Sequence, residues 1–521
     1  MKLIVVHSHF RPGGVRRVIE SALPPIVRGF RPKVREVVLV SGESIDPAWR
    51  RAWALRIAGV SVRVVVEAAL GYVAEQRSAP AVRRRRIRRC VGRLLEETTA
   101  EGCVVWQHNP SLARNPEVTR VLAKACASAG VPLVLHHHDW WFDNRWARWD
   151  EMRASGLRHL PAIARTVLPA GGHVRHATIN QADAAVLSRW FPGKVGWLPN
   201  PVSRGVLPSP GTVREARRWL AECSGRDGPV WLLPARLLRR KNVAEALLLT
   251  RWLRPEAWLA TTGGPSSEDE RPYAEALEAA ARRHDWPLRL GVLARGTSGA
   301  PAVADLMAAS EAILLTSLSE GFGLPYVEAV GAERPLIARS LANVAPDLER
   351  FGFRLPQLYS EVRVDVGAFD HDAEVSRQAE RFERWRRGLP SSCRRWVGEP
   401  WLLGSGRGGG PVGFGRLTLI AQLEVLSLAP DVSWKLCARW NPALEGWRRA
   451  AGRGRLAVAP WPAEAERWLG GAAYARRFSR LVHRTTKRPE PASAGVGAQA
   501  RLLEERLDSD NLYPLLWSSR P

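Results

Sequence analysis

Residues 317–329, SLSEGFGLPYVEA, carry two acids, Glu320 and Glu328, eight positions apart around a Gly-Phe-Gly-Leu-Pro core. Glycine loosens the backbone and proline lacks the N–H that a helix interior needs, so this interval is not one continuous helix. The apolar run AILLTS before it reads as a buried strand, LSEGFGL as a loop at its carboxyl end, and Pro325 as the first turn of a helix through PYVEAVGA. Glu320 then lies in the loop and Glu328 in the opening turns of the helix. Ligands of open parallel sheets bind at the carboxyl ends of strands. Backbone N–H groups around Gly323 and Leu324, at a helix N-terminus, suit an anionic or hydroxyl-rich ligand, and Gly321 and Gly323 let it come close. An acid such as Glu328 in an early helical turn also offsets the helix dipole. Glu320, in a loop, has no such structural use and reads as functional.

A second constellation lies in WLLPARLLRRKNVAEALLL, where Arg236 and Lys241 stand five apart just after an apolar run. Asn242 is expected to cap the next helix, with Glu245 three residues on completing a capping box. Two cations and a helix start at one strand end suit phosphate, bidentate at Arg and as a point charge at Lys. The run HHHDWWFDNRW, residues 136–146, offers three histidines and an aspartate. Consecutive residues at a strand end alternate in direction, so no metal site is expected, and the run reads as a wall of donors and acceptors. Trp140, Trp141, Phe142 and Trp146 either stack on a sugar or lipid acceptor or pack beneath a loop.

These residues need strands to position them. KLIVVHS, EVVLVSG, VRVVVEA, GCVVWQH and PLVLHHHD are short apolar runs, each followed by a polar loop and a segment of helical period. That alternation specifies a parallel sheet covered by helices. Four prolines and three glycines gather in residues 196–213, which reads as a linker. The grammar then restarts with PVWLLPA, AWLATTGG, LRLGVL, EAILLTS and RPLIARS. Two α/β domains are therefore expected, residues 1–205 and 206–385, with a partly helical, partly disordered extension over 386–521. Within that extension GSGRGGGPVGFG (404–415) reads as a flexible loop, RLTLIAQLEVLSL as a helix and KRPEPASAGVGAQA (487–500) as disordered or extended.

The chain of 521 residues is too long for one core, and its 45% hydrophobic and 25% charged content is that of an ordinary globular protein. A net charge of +26 invites a polyanion partner. Yet the basic residues are 7 Lys against 70 Arg, a skew of the kind that codon bias produces, and no zinc-finger spacing, RNA-binding aromatic motif or arginine-glycine repeat accompanies them. In RRRRIRRC (83–90), Ile87 with Val91, Leu94 and Leu95 makes one apolar face and the arginines the other, a solvated or membrane-surface helix. The six cysteines are scattered, with neither zinc nor disulfide spacing, which points to reduced cytosolic thiols. MKLIVVHSHF reads as a first strand, not a signal peptide, and no apolar run is long enough to span a membrane.

ARLLRRKNV and SEGFGLPYVEA together resemble the signature of retaining, nucleotide-sugar-dependent glycosyltransferases of the GT-B fold, the family-4 or group-1 superfamily that includes sucrose and glycogen synthases. HFRPGGVRRVIES, LVLHHHDWW, WLPNPV and TTGGPSSED sit where that family has its first glycine-rich loop, its His-Asp loop, its interdomain Asn and a nucleotide-side glycine turn. The resemblance covers roughly residues 1–350. It implies an α/β protein of two Rossmann-like domains facing a central cleft, the acceptor side first and the donor side second, with a mostly helical C-terminal extension. It further implies that Glu320 binds the donor sugar's hydroxyls, Glu328 the ribose, and Arg236 and Lys241 the diphosphate. Gly264, Gly321, Phe322, Gly323 and Leu324 line the donor, while Gly13, Gly14, Asp139 and Asn200 belong to the acceptor or phosphate side. His138 matches the family's active-site histidine near the sugar.

The expected activity is hexosyl transfer from a UDP- or GDP-linked sugar to a saccharide, lipid-linked or small-molecule acceptor. The resemblance implies no cofactor and no metal, and fits a bacterial enzyme in the cytoplasm, with peripheral contact at the inner membrane face. A basic nucleic-acid-binding protein and a catalytically inactive GT-B ligand- or partner-binding module are the alternatives. The first draws on charge alone; intact Arg236, Lys241, Glu320 and Glu328 weigh against the second.

Overall fold

The computed structural model describes residues 1–96, 98, 102–143, 146–225, 228–265, 267–294, 299–404, 406, 409–484 and 490–517. The chain forms two compact units. The first holds residues 1–203, 389–396 and 464–506; the second holds 204–388, 397–463 and 507–521. The stretch 386–521 expected as a separate extension is thus shared between the two units.

In the first unit seven parallel strands lie in the order β3-β2-β1-β4-β5-β6-β7. They are β1 (Lys2–Val6), β2 (Glu36–Ser41), β3 (Ser61–Val66), β4 (Cys103–His108), β5 (Leu133–His137), β6 (Val174–Thr178) and β7 (Val195–Trp197). Side chains alternate across the sheet with period two. Leu3, Val5, Val37, Leu39 and Trp106 pack to one side with Ile19, Leu23 and Ile26 of the helix Gly14–Gly29. Ile4, Val6, Val38, Val40 and Val105 pack to the other, with Ile87, Val91, Leu94 and Leu95 of the helix Pro80–Leu95. The apolar face of the arginine-rich helix is therefore inside the protein, and Arg85, Arg88 and Arg89 are exposed opposite it. The helix Gly471–His483 returns to this unit and adds Tyr474, Phe478 and Leu481 to the first layer.

In the second unit six parallel strands run β10-β9-β8-β11-β12-β13. They are β8 (Val230–Leu233), β9 (Trp258–Thr261), β10 (Leu288–Arg289), β11 (Ala312–Leu315), β12 (Leu336–Arg339) and β13 (Gln357–Tyr359). The helix Val243–Leu253, VAEALLLTRWL, is apolar nearly all round and buried along its whole length. The C-terminal segment encloses it: Trp252 Nε1 donates to Ser433 Oγ at 3.0 Å and Arg251 Nη2 to Leu428 O at 3.2 Å.

Two expected loose segments are ordered in part. Val412–Gly413 pairs antiparallel with Arg363–Val364, and Phe414 is fully buried, so the end of the glycine-rich stretch 404–415 is core; Ser405, Arg407 and Gly408 lie outside the described residues. Ala494–Leu507 is a helix rather than an extended tail, anchored by Gln499, whose Nε2 donates to Leu160 O at 3.0 Å. Residues 487–489 of that expected tail lie outside the described ones. Among the described residues no helix is long and apolar enough to cross a membrane.

Candidate active site

In each sheet the chain winds outward from a central strand and then restarts on that strand's other side, which leaves a crevice at the carboxyl ends of the two strands flanking the switch. In the second unit those strands are β8 and β11. β8 leads to Arg236 and the short turn Arg239–Lys241; β11 leads to Glu320. The two loops are locked together by backbone: Leu318 N–H donates to Arg240 O at 2.7 Å, and Thr316 Oγ1 to Lys241 O at 2.8 Å.

Glu320 is the centre of this lock. Its carboxylate pairs with Lys241 Nζ, accepts from Arg240 Nη1 at 3.0 Å and accepts from Ser317 Oγ at 2.6 Å. Asn343 Nδ2 holds its carbonyl at 2.7 Å. Burial alone would raise the carboxyl, but Lys241 and Arg240 outweigh it and hold Glu320 at about 2. Burial draws the Lys241 ammonium down, against the opposing pull of Glu320. Arg236 is exposed at the same strand end, and Arg240 was not singled out by sequence reasoning, although it adjoins Lys241 in a run of three cations.

The helix after the loop is Leu324–Gly331, with Pro325 in its first turn and Glu328 half-buried in its second. Gly323 sits at φ 79°, and a Cβ there would stand 2.7 Å from Val344 and 2.9 Å from the Tyr326 ring. Its glycine is thus fixed by the protein's own packing as much as by any ligand. Phe322 is buried, whereas Gly321 and Leu324 are half-buried beside it. Gly264 follows β9, next to β8 in the sheet. Its neighbour Gly263 makes the closer approach: a Cβ there would meet Arg236 Cγ at 2.8 Å.

The expected capping box is absent. Asn242 adopts φ 47° and makes no side-chain cap; its Nδ2 donates to Glu245 at 2.8 Å, and the Tyr273 hydroxyl accepts the Val243 N–H at 2.9 Å. Glu245 instead serves the core. It accepts from Arg339 Nη2 and from the Tyr359 hydroxyl, each at 2.6 Å, in full burial.

The first unit has its switch at β1 and β4. His7, Tyr72, His108, Asn109, Arg114 and Asn115 line a cavity there. Gly13 and Gly14 are exposed at the start of the helix that follows β1, and a Cβ on Gly14 would meet nothing within 4 Å. His138 and Asp139 follow β5, beside β4, and Asp139 exchanges two 3.1 Å hydrogen bonds with the Asn109 side chain. His138 Nε2 lies 3.0 Å from His108 Nδ1. Burial drives His138 down to about 4 and His7 to about 3, so both are neutral imidazoles at physiological pH. Asn200 is buried beyond β7, two strands away from β5.

The aromatic residues after the histidines form core. Trp140, Trp141 and Phe142 are buried, with Trp140 stacked on His137 at 5.1 Å and donating to Asp183 at 2.9 Å. Of the four, only Trp146 is partly exposed, so the three buried rings offer no sugar platform. Sequence reasoning also passed over His108, Tyr72 and Arg114. The signal for His108 was available, because GCVVWQH and PLVLHHH are both apolar runs that end on histidine.

Two doubly wound parallel sheets, with helices on their faces and a helical C-terminal region, are the GT-B architecture. No family model matches the chain. The N-terminal domain of trehalose-6-phosphate phosphatase from Candida albicans aligns over 93% of this chain and 97% of its own, with a TM-score of 0.51 at 9% identity, a likeness of fold. The Anabaena Alr3699/HepE structure in complex with UDP-glucose aligns over 87% of this chain and 98% of its own, with a TM-score of 0.48 at 13% identity. Mannosylglucosyl-3-phosphoglycerate synthase of Petrotoga mobilis is 23% identical over 250 residues, 46% of this chain and 47% of that protein. The chain thus matches about half the length of this curated relative.

Proposed function

We propose that the chain is a retaining hexosyltransferase that takes its sugar from a UDP- or GDP-linked donor bound at the β8–β11 switch of the second unit. The observation that carries this is the junction of Arg240, Lys241 and Glu320 at those two strand ends, with Arg236 exposed beside them. Cations there stabilise the negative charge that builds on a departing diphosphate. Glu320 is held ionised by its partners at about 2 and so cannot act as a general acid, a role that needs a raised value. It binds sugar hydroxyls as an acceptor, and Glu328 holds the ribose. The acceptor hydroxyl attacks C1 on the face the diphosphate leaves: the C1–O bond to phosphate breaks, the new glycosidic bond forms, and the acceptor's proton passes to the departing phosphate. No carboxylate nucleophile takes part. His138, which matches the family's active-site histidine, is kept neutral by burial.

The relative named as a mannosylglucosyl-3-phosphoglycerate synthase is named for a glycosidic product, which supports glycosyl transfer. The acceptor is a saccharide, a lipid-linked sugar or a small molecule. The enzyme works in a bacterial cytoplasm, with peripheral contact to the inner membrane face through the exposed arginines of the helix Pro80–Leu95. Incubation with UDP- and GDP-hexoses and cell extract, followed by mass spectrometry and NMR of the product, tests the reading. A product one hexose heavier with the donor's anomeric configuration is expected; an inverted product, or no transfer from any donor, overturns it.

A further inference from the structure

His136 and His138 are two residues apart at the end of β5, so they share a face of the sheet, while His137 points the other way to His176, with a 3.0 Å hydrogen bond between their rings. β4 adds a third imidazole, because His108 is the register partner of His136. The ring centroids lie 4.3 to 5.3 Å apart. One nitrogen from each falls within 4.8 Å of the others, and all three residues are at least nine-tenths buried. His137 thus diverges from its neighbours, whereas His136 and His138 share a face to which the neighbouring strand adds His108.

The cluster is short of partners. Nε2 of His108 has no hydrogen-bond partner among the described residues, and the His136 ring has none but the Leu198 backbone. Leaving a buried polar atom unpaired is destabilising. Three nitrogen ligands with no carboxylate suit zinc, cobalt, nickel or copper, and do not suit magnesium or calcium, which take oxygen. His108 also borders the cavity lined by His7, Tyr72 and Asn109.

We propose that His108, His136 and His138 form a binding site for one divalent transition-metal ion of the zinc class. Ring rotations that bring the nitrogens to roughly 3.3 Å from one another close a tetrahedral face around the ion, with the fourth position left to water or a ligand. The site rests on the first unit alone and stands whether or not the chain transfers sugar.

The test is titration of the chelator-treated full chain with Co2+, followed by X-ray absorption of the Zn2+-loaded protein. One equivalent bound, with visible absorption of four-coordinate Co2+ and three imidazole nitrogens on zinc, is expected. His136→Ala and His108→Ala should each weaken binding by at least about tenfold, while His159→Ala, at a site outside the cluster, leaves it unchanged. The absorption measurement needs no variant and so stands if the substitutions unfold the chain. Binding that both cluster variants retain, or fewer than three imidazoles on the zinc of the wild-type chain, would overturn the site.

Discussion

The carboxyl ends of the two sheets share a topology and differ in chemistry. At the β8–β11 switch the buried groups are charged and paired, Glu320 to Lys241 and Arg240. At the β1–β4 switch and the neighbouring end of β5 they are neutral imidazoles, several with one ring nitrogen that has no partner among the described residues. Both devices keep polar groups at a sheet end in a form that burial tolerates, by pairing in one case and by loss of the proton in the other. Under the proposed function the paired site receives the anionic diphosphate, and the proposed metal site draws on the neutral imidazoles.

The comparison can be broken first through the second unit's other buried pair. Arg339→Met strands the Glu245 carboxylate, and should lower unfolding free energy by about 3–5 kcal/mol, while Arg339→Met with Glu245→Leu recovers most of it. Urea unfolding of both variants measures this; equal loss in the two would deny that the pair, rather than the volume, matters. Next comes Lys241→Ala, for which kcat should fall about 10²–10³-fold in the transfer assay, the usual loss when one donor to developing charge is removed.

Acid should separate the units. His176 is buried and pulled from 6.5 to about 4, so in this group the native state takes up its proton later than the unfolded chain. Stability is present above about 6.5 and lost as pH falls towards 4, about 3 kcal/mol from this group. Glu320 goes from 4.5 to about 2, so its contribution, also about 3 kcal/mol, is present above 4.5 and lost only as pH falls towards 2. Hydrogen exchange followed peptide by peptide should show protection fading in residues 133–195 before residues 230–340; simultaneous loss would contradict the contrast. The smallest effect is at Glu328, where Glu328→Gln should raise donor KM about tenfold with kcat little changed, while Glu320→Gln acts mainly on kcat.

Much of this was legible in the residues. Ten of the thirteen sheet strands are apolar runs between polar loops, and Glu320, Lys241 and Arg236 follow from strand, loop and helix grammar. β6 escaped because VRHAT hides a buried strand behind Arg175 and His176, whose polar ends find partners inside: Arg175 donates to Gly172 O at 2.7 Å and His176 bonds Pro169 O at 3.2 Å. Asn242 was misread because Asn at a helix start is also at home in the left-handed region, where its side chain turns to Glu245. The partners of Glu320 and the meeting of His108 with His136 depend on strand order, which no single segment states.

Thermal melting of the full chain with UDP-, GDP- and ADP-sugars, beside Lys241→Ala, tests the donor site most directly. The account predicts that one nucleotide sugar raises the melting temperature of the wild type and not of the variant. No shift with any nucleotide, or an equal shift in Lys241→Ala, would contradict it.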